Sequence, residues 1–274
     1  MHNKIKKSAK PVNTSSVPPR EVLSIKMLFK QIFSIEEDTA TPEQVRERIL
    51  DGGKVTGTNM ALLVLAILIA SIGLNTNSVA VIIGAMLVSP IMGSILAIAY
   101  GTVTANPRTV EIHFTGFILQ VVISIGTSAL FFWLSPVKEP TSELLARTNP
   151  SFFDVVLATV GGLAGIIGQT RKDKANNVIP GVAIATALMP PLCTCGYSIA
   201  NSKWDMLSGA AYLFIINSYF IYNSSELILA TMQLPKIREL TESERKKARR
   251  RKIRTTIFVM IPSIITLVLL YLDR

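Results

Sequence analysis

Hydrophobic residues in this chain come in long runs with short polar punctuation. This is neither the alternation of a half-buried strand nor the one-sided stripe of a soluble helix. The stretch Ser78–Gly101, SVAVIIGAMLVSPIMGSILAIAYG, carries no charge and is about as long as a membrane span requires. Ser89-Pro90 interrupts its middle, and Gly84 and Gly93 loosen it. Val178–Ala200, VIPGVAIATALMPPLCTCGYSIA, repeats the pattern. In register, Val81 falls on Val182, Ile83 on Ile184, Leu87 on Leu188, Pro90 on Pro191, Ile98 on Ile199 and Ala99 on Ala200. The two stretches read as one broken transmembrane helix present twice.

Further apolar runs cover residues 58–74, 113–134, 151–169, 206–232 and 253–270, which makes about seven spans. Residues 1–20 are basic and rich in Pro and Ser, a composition that stays disordered. In Glu21–Phe33, Ile25, Leu28, Phe29 and Ile32 recur at helical spacing with Lys26 and Lys30 on another side; such a helix lies on the membrane or packs on its own protein. Thr41, Pro42 and Gln44 are a helix-start signal, and Gly52-Gly53 a stop. Asn75-Thr76-Asn77 reads as a tight turn, Ala105-Asn106-Pro107-Arg108 as a loop, and Ser135 to Pro150 as a polar loop. The expected organisation is a cytoplasmic region over 1–57, a three-helix unit over 58–134, a second over 151–232, a basic cytoplasmic segment over 233–252 and a final span over 253–274. Three spans per half reverse the direction of the second half. The expected fold class is therefore all-α: a polytopic membrane protein built from two inverted three-helix repeats with proline-broken second helices, an arrangement common in secondary transporters.

Composition supports that pattern. Of 274 residues 49% are hydrophobic and only 17% charged, against roughly 25% charged in soluble domains, and mean hydropathy is +0.44. The net charge of +10 sits outside the apolar runs. It points to orientation and to anionic lipid headgroups as partners rather than nucleic acid, because no basic face is interleaved with aromatics. Placing the N-terminus in the cytoplasm puts the loops at Arg108, Arg171–Lys174 and Lys236–Arg254 inside, with most of the Lys and Arg; those at Asn75, Lys138–Arg147 and Lys203 fall outside. The expectation is a multi-pass protein of the inner (cytoplasmic) membrane. The basic start MHNKIKKSAK is not followed by an apolar h-region, so no cleaved signal peptide is expected. Cys193 and Cys195 read as small packing residues, since a Cys-x-Cys pair with only His2 and His113 available is a poor disulfide and a poor zinc site. The spans hold no nucleophile–base pair, ligand set or phosphate loop, so no enzyme, metal or cofactor is expected.

Proline lacks an N–H and clashes with the carbonyl four residues back. Pro90 would free the carbonyl of Met86, and Pro190 and Pro191 those of Thr186 and Ala187. In lipid such groups belong inside protein or beside a water-filled cavity. Two readings stay open: the breaks meet near the midplane and, with hydroxyls from Ser89, Ser94 and Thr194, form a polar site, or they only kink structural helices. The sixth span is interrupted by Asn217, Asn223, Ser224, Ser225 and Glu226. Glu226 is either a buried carboxyl that carries a proton or cation, or an interfacial group paired with Lys236. Gln120, Gln169 and Asp154 are weaker candidates. Arg245, Lys246, Lys247, Arg249, Arg250 and Arg251 either capture lipid headgroups or serve only as a topology signal. The segment VGGLAGIIG lets neighbouring helices approach closely, which is compatible with a homo-oligomer.

The same residues carry a resemblance. Ile83-Gly84-Ala85-Met86 leading through Ser89-Pro90 to Met92-Gly93, together with Pro180 through Pro191-Leu192, resembles the bacterial and archaeal membrane family called domain of unknown function 389, over roughly residues 45–232. Asn217 resembles an asparagine at the corresponding span of the family. Many members place a small soluble domain before the membrane part, and the N-terminal region here looks too short for one. The resemblance implies the fold and little about activity. The leading expectation is a transporter or channel for an ion or small solute, its pathway lined by Gly84, Ser89, Pro90, Gly93, Ser94, Pro190, Pro191, Thr194, Asn217 and Glu226. The alternative is a non-transporting scaffold or anionic-lipid-binding protein.

Overall fold

The computed structural model describes residues 39–172 and 178–272, except for the side chains of 178–187, 263 and 265–272. Contacts divide the chain into two units, Met1–Thr39 and Ala40–Arg274, and the helices below belong to the second. The expected helix over Glu21–Phe33 lies outside the described residues.

Among the described residues the chain is helical with no strand. α1 is Pro42–Gly52, opened by the expected capping box: Gln44 N donates to Thr41 Oγ1 and Thr41 N to Gln44 Oε1, each at 3.3 Å. α2 is Gly57–Asn75, ended by a turn with Asn77 at φ 54°. The first broken span is α3, Val79–Val88, followed by α4, Ile91–Val103, bent by 48° at Ser89-Pro90. α5 is Pro107–Leu134. It starts inside the segment read as a loop, because Asn106 caps it by accepting from Thr109 N at 3.2 Å and Pro107 suits the first helical position. α6 is a single turn, Ser142–Leu145; α7 is Phe152–Thr170; α8 is Val178–Ala200; α9 is Trp204–Thr231; α10 is Glu242–Leu272.

Two expectations need correction. The second repeat's middle helix is not broken: α8 runs through Pro190 and Pro191. Proline's fixed φ is helical, and residues Leu188–Ser198 are buried against neighbouring helices, so packing holds the helix in line where two backbone bonds are missing. The basic segment is also not separate from the final span, since its part from Glu242 onward continues into that span as α10. Arg, Lys, Glu and Ala are good helix formers, and Thr241 caps the start by accepting from Glu244 N at 3.4 Å.

By length and apolar character α2, α5 and α7 can cross a membrane, and the bent pair α3–α4 makes a fourth. α9 has 28 residues, but Asn217, Ser218, Asn223, Ser224, Ser225 and Glu226 dilute its apolar character. The exterior is apolar: Phe153 is 78% exposed, Phe258 75% and Trp133 67%. Ser71, Ser94, Gln120, Ser124 and Ser128 are buried inside. An apolar exterior around a core that also encloses polar side chains fits lipid and not water. The chain is a helical, membrane-embedded protein.

Loops gather at two ends. At one, Ala40 N donates to Thr170 O at 2.7 Å, Arg48 to the carbonyls of Arg171 and Lys172, and Ile237 N to Thr104 O at 2.9 Å. These are the loops that charge assigns to one side. At the other, Thr141 Oγ1 donates to Leu74 O at 2.7 Å, Ser142 Oγ to Asn77 Oδ1 at 2.9 Å, and Tyr197 OH to Lys138 O at 2.5 Å.

Glycines set the close approaches. A Cβ on Gly162 of α7 would lie 2.8 Å from Ser224 Oγ and 2.9 Å from Ile221 Cα of α9, and one on Gly196 of α8 would lie 2.5 Å from Ser128 Cβ of α5. The VGGLAGIIG face is therefore used inside the chain, and the argument it lent to a homo-oligomer lapses. On Gly93 a Cβ would overlap the Gly52 carbonyl at the end of α1; on Gly84 it would meet open space. Gly93→Ala is expected to destabilise the fold by about 1–3 kcal/mol through overpacking, and Gly84→Ala to leave it unchanged within roughly 0.5 kcal/mol. Unfolding of each variant in the same detergent checks the contrast.

Candidate functional site

The expected site was the meeting of two helix breaks. At the first, Ser89 N reaches back to Met86 O at 3.4 Å, occupying the carbonyl that Pro90 frees, and Ser89 Oγ accepts from Ile91 N at 3.4 Å. Met86, Ile91 and Ile95 then join one apolar core with Leu188, Met189, Leu192 and Cys193 of α8. The flanks of the prolines do come together, and what they form is apolar packing. Gly84 faces outward, Pro90 is half-buried, and Gly93 is packed on α1. Pro190, Pro191 and Thr194 are buried in α8, where Thr194 Oγ1 donates to its own helix at Pro190 O, 2.9 Å away. Asn217 is buried on α9.

A different polar set is assembled along α5. His113, Gln120, Ser124 and Ser128 lie on one buried face of that helix with Gly116 and Phe132. At 1.5 Å per residue the polar part is about 22 Å long, most of the thickness of a bilayer core. Its members bond across helices. Ser94 Oγ of α4 donates to Gln120 Oε1 at 3.1 Å and lies 3.5 Å from Gly53 O. His113 Nδ1 lies 3.0 Å from the same carbonyl, which can only accept, so this nitrogen carries the proton. Further along, Ser71 Oγ of α2 donates to Ser128 Oγ at 3.1 Å, and Ser128 Oγ to Cys193 O of α8 at 2.9 Å. Ser124 Oγ returns to Gln120 O at 2.7 Å. Of the expected site residues only Ser94 belongs to this set. Its signal was present in the sequence: polar residues at 120, 124 and 128 recur every four positions within an apolar run, the spacing of one helix face. The two cysteines are free and buried.

Glu226 lies outside the stripe. Its carboxylate accepts from Lys252 Nζ of α10 at 3.0 Å, a different partner from the expected Lys236. The pair sits in a cavity of about 540 Å³ whose wall includes Arg245, Arg249, Arg251, Asn223 and Tyr222. Lys246, Lys247 and Arg250 face a second groove with Arg251 and Arg254. Near the start of α10 the Glu244 carboxyl is held below the usual range by the backbone N–H of Thr241 at 2.9 Å, by its hydroxyl at 3.0 Å, and by Arg238 at 3.3 Å.

A helical membrane protein with a polar stripe buried along one span is the class this arrangement defines. The chain belongs to the family described as domain of unknown function (DUF389), whose profile matches residues 86–223, half of its length. It is also similar to an uncharacterized protein of Methanocaldococcus jannaschii, 24% identical over 217 residues that cover 77% of this chain and 67% of that one. No solved structure matches it.

Replacing Gln120 by Leu removes the acceptor of Ser94 Oγ and is expected to cost about 1–3 kcal/mol. Adding Ser94→Ala should cost less than the sum of the singles, with a coupling of roughly 0.5–1.5 kcal/mol. A double-mutant cycle by unfolding in micelles measures it, and strict additivity would show that the two side chains do not interact.

Proposed function

We propose that the protein moves an ion or small polar solute across the membrane along the buried face of α5. The observation that carries the reading is the length of the stripe. A pair of polar residues suffices to bind two helices together, whereas a polar group at nearly every turn offers a partner at each step to a solute leaving water. In the described conformation these hydroxyls and amides bond to one another, which corresponds to a closed state. Opening would move α4 off α5, with the 48° bend at Ser89-Pro90 as the hinge. The stripe holds no carboxylate and no lysine or arginine, so selection would rest on coordination and size.

The same reading counts seven spans, adding α8, α9 and α10 to the apolar four; at 1.5 Å per residue each is long enough. It takes the two halves as an inverted repeat. Supporting this, α5 packs on α8 as α9 packs on α4, and α2 lies on α3 as α7 lies on α8. It places the end carrying Arg46, Arg48, Arg171, Lys172 and Lys236 in the cytoplasm, within a cell's inner membrane.

Flux into proteoliposomes, measured over a panel of cations, anions and neutral polar solutes, tests the proposal. Wild type should carry at least one member. Gln120→Leu should slow that flux roughly tenfold while the protein still elutes folded, and Glu226→Gln, outside the stripe, should not. Folded protein that carries nothing in the panel would overturn the reading.

A further inference from the structure

Independently of transport, two neighbouring hollows on one side of α9 have complementary chemistry. The first is the basic cavity already described. There Glu226 and Lys252 neutralise each other at 3.0 Å, and among the described residues no carboxylate pairs with Arg245, Arg249 or Arg251. Three arginines without a carboxylate partner thus line one space. Asn223 lines the same wall; its Nδ2 donates to Tyr219 O at 2.8 Å, and its Oδ1 is buried without a donor. The second hollow is an apolar groove of about 420 Å³ between α4, α5 and α9, walled by Ile98, Phe114, Ile118, Val121, Phe214 and Ile215. Tyr219 and Tyr222 belong to both, so the two hollows adjoin. Tyr219 OH also bonds Thr256 Oγ1 of α10 at 2.6 Å, which holds α10 beside α9 at the junction.

The groove lies on spanning helices, and the basic cavity sits at the end of the bundle where the apolar part of α10 gives way to its charged turns. A molecule that fills both must be anionic and hydrogen-bonding at one end and long and apolar at the other. We propose that this is a binding site for one anionic phospholipid. Its phosphate is held by Arg245, Arg249 and Arg251, a headgroup hydroxyl donates to Asn223 Oδ1, and one acyl chain lies in the groove. Arginine suits the phosphate because its planar fork donates two parallel bonds to paired oxygens. The grouping also divides the basic stretch, because Lys246, Lys247 and Arg250 face the other groove and take no part.

The test uses the full chain in a non-ionic detergent. Phosphatidylglycerol or phosphatidylcholine with matched long acyl chains is added, and retained lipid is counted by native mass spectrometry. Wild type should retain one phosphatidylglycerol and little phosphatidylcholine. Arg245→Gln with Arg249→Gln should weaken phosphatidylglycerol retention roughly twentyfold, the loss of two surface cations. Lys246→Gln with Lys247→Gln removes the same charge from the other groove and should leave retention within about twofold. Ile118→Trp, which fills the groove at an exposed position, should weaken the long-chain lipid and spare a dihexanoyl phosphatidylglycerol. Equal losses from the two double variants would overturn the proposal in favour of unspecific charge attraction. Indifference to Ile118→Trp would overturn the acyl-chain half of it.

Discussion

Lipid has no hydrogen bonds to give. Every hydroxyl, amide and imidazole that α5 carries into the bilayer must find its partner within the protein. Ser124 finds it on its own helix, while His113, Gln120 and Ser128 find theirs on other elements, and this requirement arranges the centre of the molecule. Ser94 is placed by Gln120, Ser71 by Ser128, and Ser128 by a carbonyl of α8. The Gly53 carbonyl, left open where α1 ends, is met by His113 and approached by Ser94. α1, α2, α4 and α8 are thereby tied to one line of polar atoms on α5. Water would have satisfied the same groups singly and fixed nothing.

Such bonds need short distances between helix axes, and the glycines provide them. Gly196 lets α8 come near enough to α5 for Ser128 to reach Cys193 O, and Gly93 lets the end of α1 sit directly on α4 beside Ser94. Neither position is a turn, and neither has a positive φ. Their value is the missing Cβ. Hydrophobic burial between helices is weak in a medium as apolar as leucine, so close van der Waals contact and bonds across the contact do the work together.

Much of this was legible before any coordinates. The spans at 57–75, 79–103 and 152–170, the capping box at Thr41 and the bend at Pro90 follow from run length, capping chemistry and proline sterics, all local properties. The failures have a common cause. Proline at 190 and 191 has the same local chemistry as at 90, yet α8 stays continuous because it is buried along that length while the bend in α3–α4 is only half-buried. Whether a weakened helix bends is decided by its neighbours, which a sequence does not display. The stripe was missed for a related reason. Gln120 was weighed alone and serines 124 and 128 were not singled out, since one serine in a span carries little signal when it can bond back to its own helix. Only the four-residue spacing makes them one face.

Charge and polarity are separated in this molecule, and the separation bears on how it could work. Glu226 pairs with Lys252 near one end of its helix, so the buried stripe holds no carboxylate, lysine or arginine and the fixed charges lie towards the ends of the bundle. An ion entering the stripe would exchange its hydration for hydroxyl and amide dipoles without meeting an opposite full charge. Binding there would be weak enough to release what it accepts, as passage requires. A charged residue at the same depth would hold a counter-ion or another side chain tightly and block the path. On that proposed reading the cationic rim would act before that step, over the range of a Debye length, by favouring anions and anionic lipids beside the bundle. Under the proposed function, selection by field at the surface and by coordination inside would fall to different residues, so that each could be altered without the other.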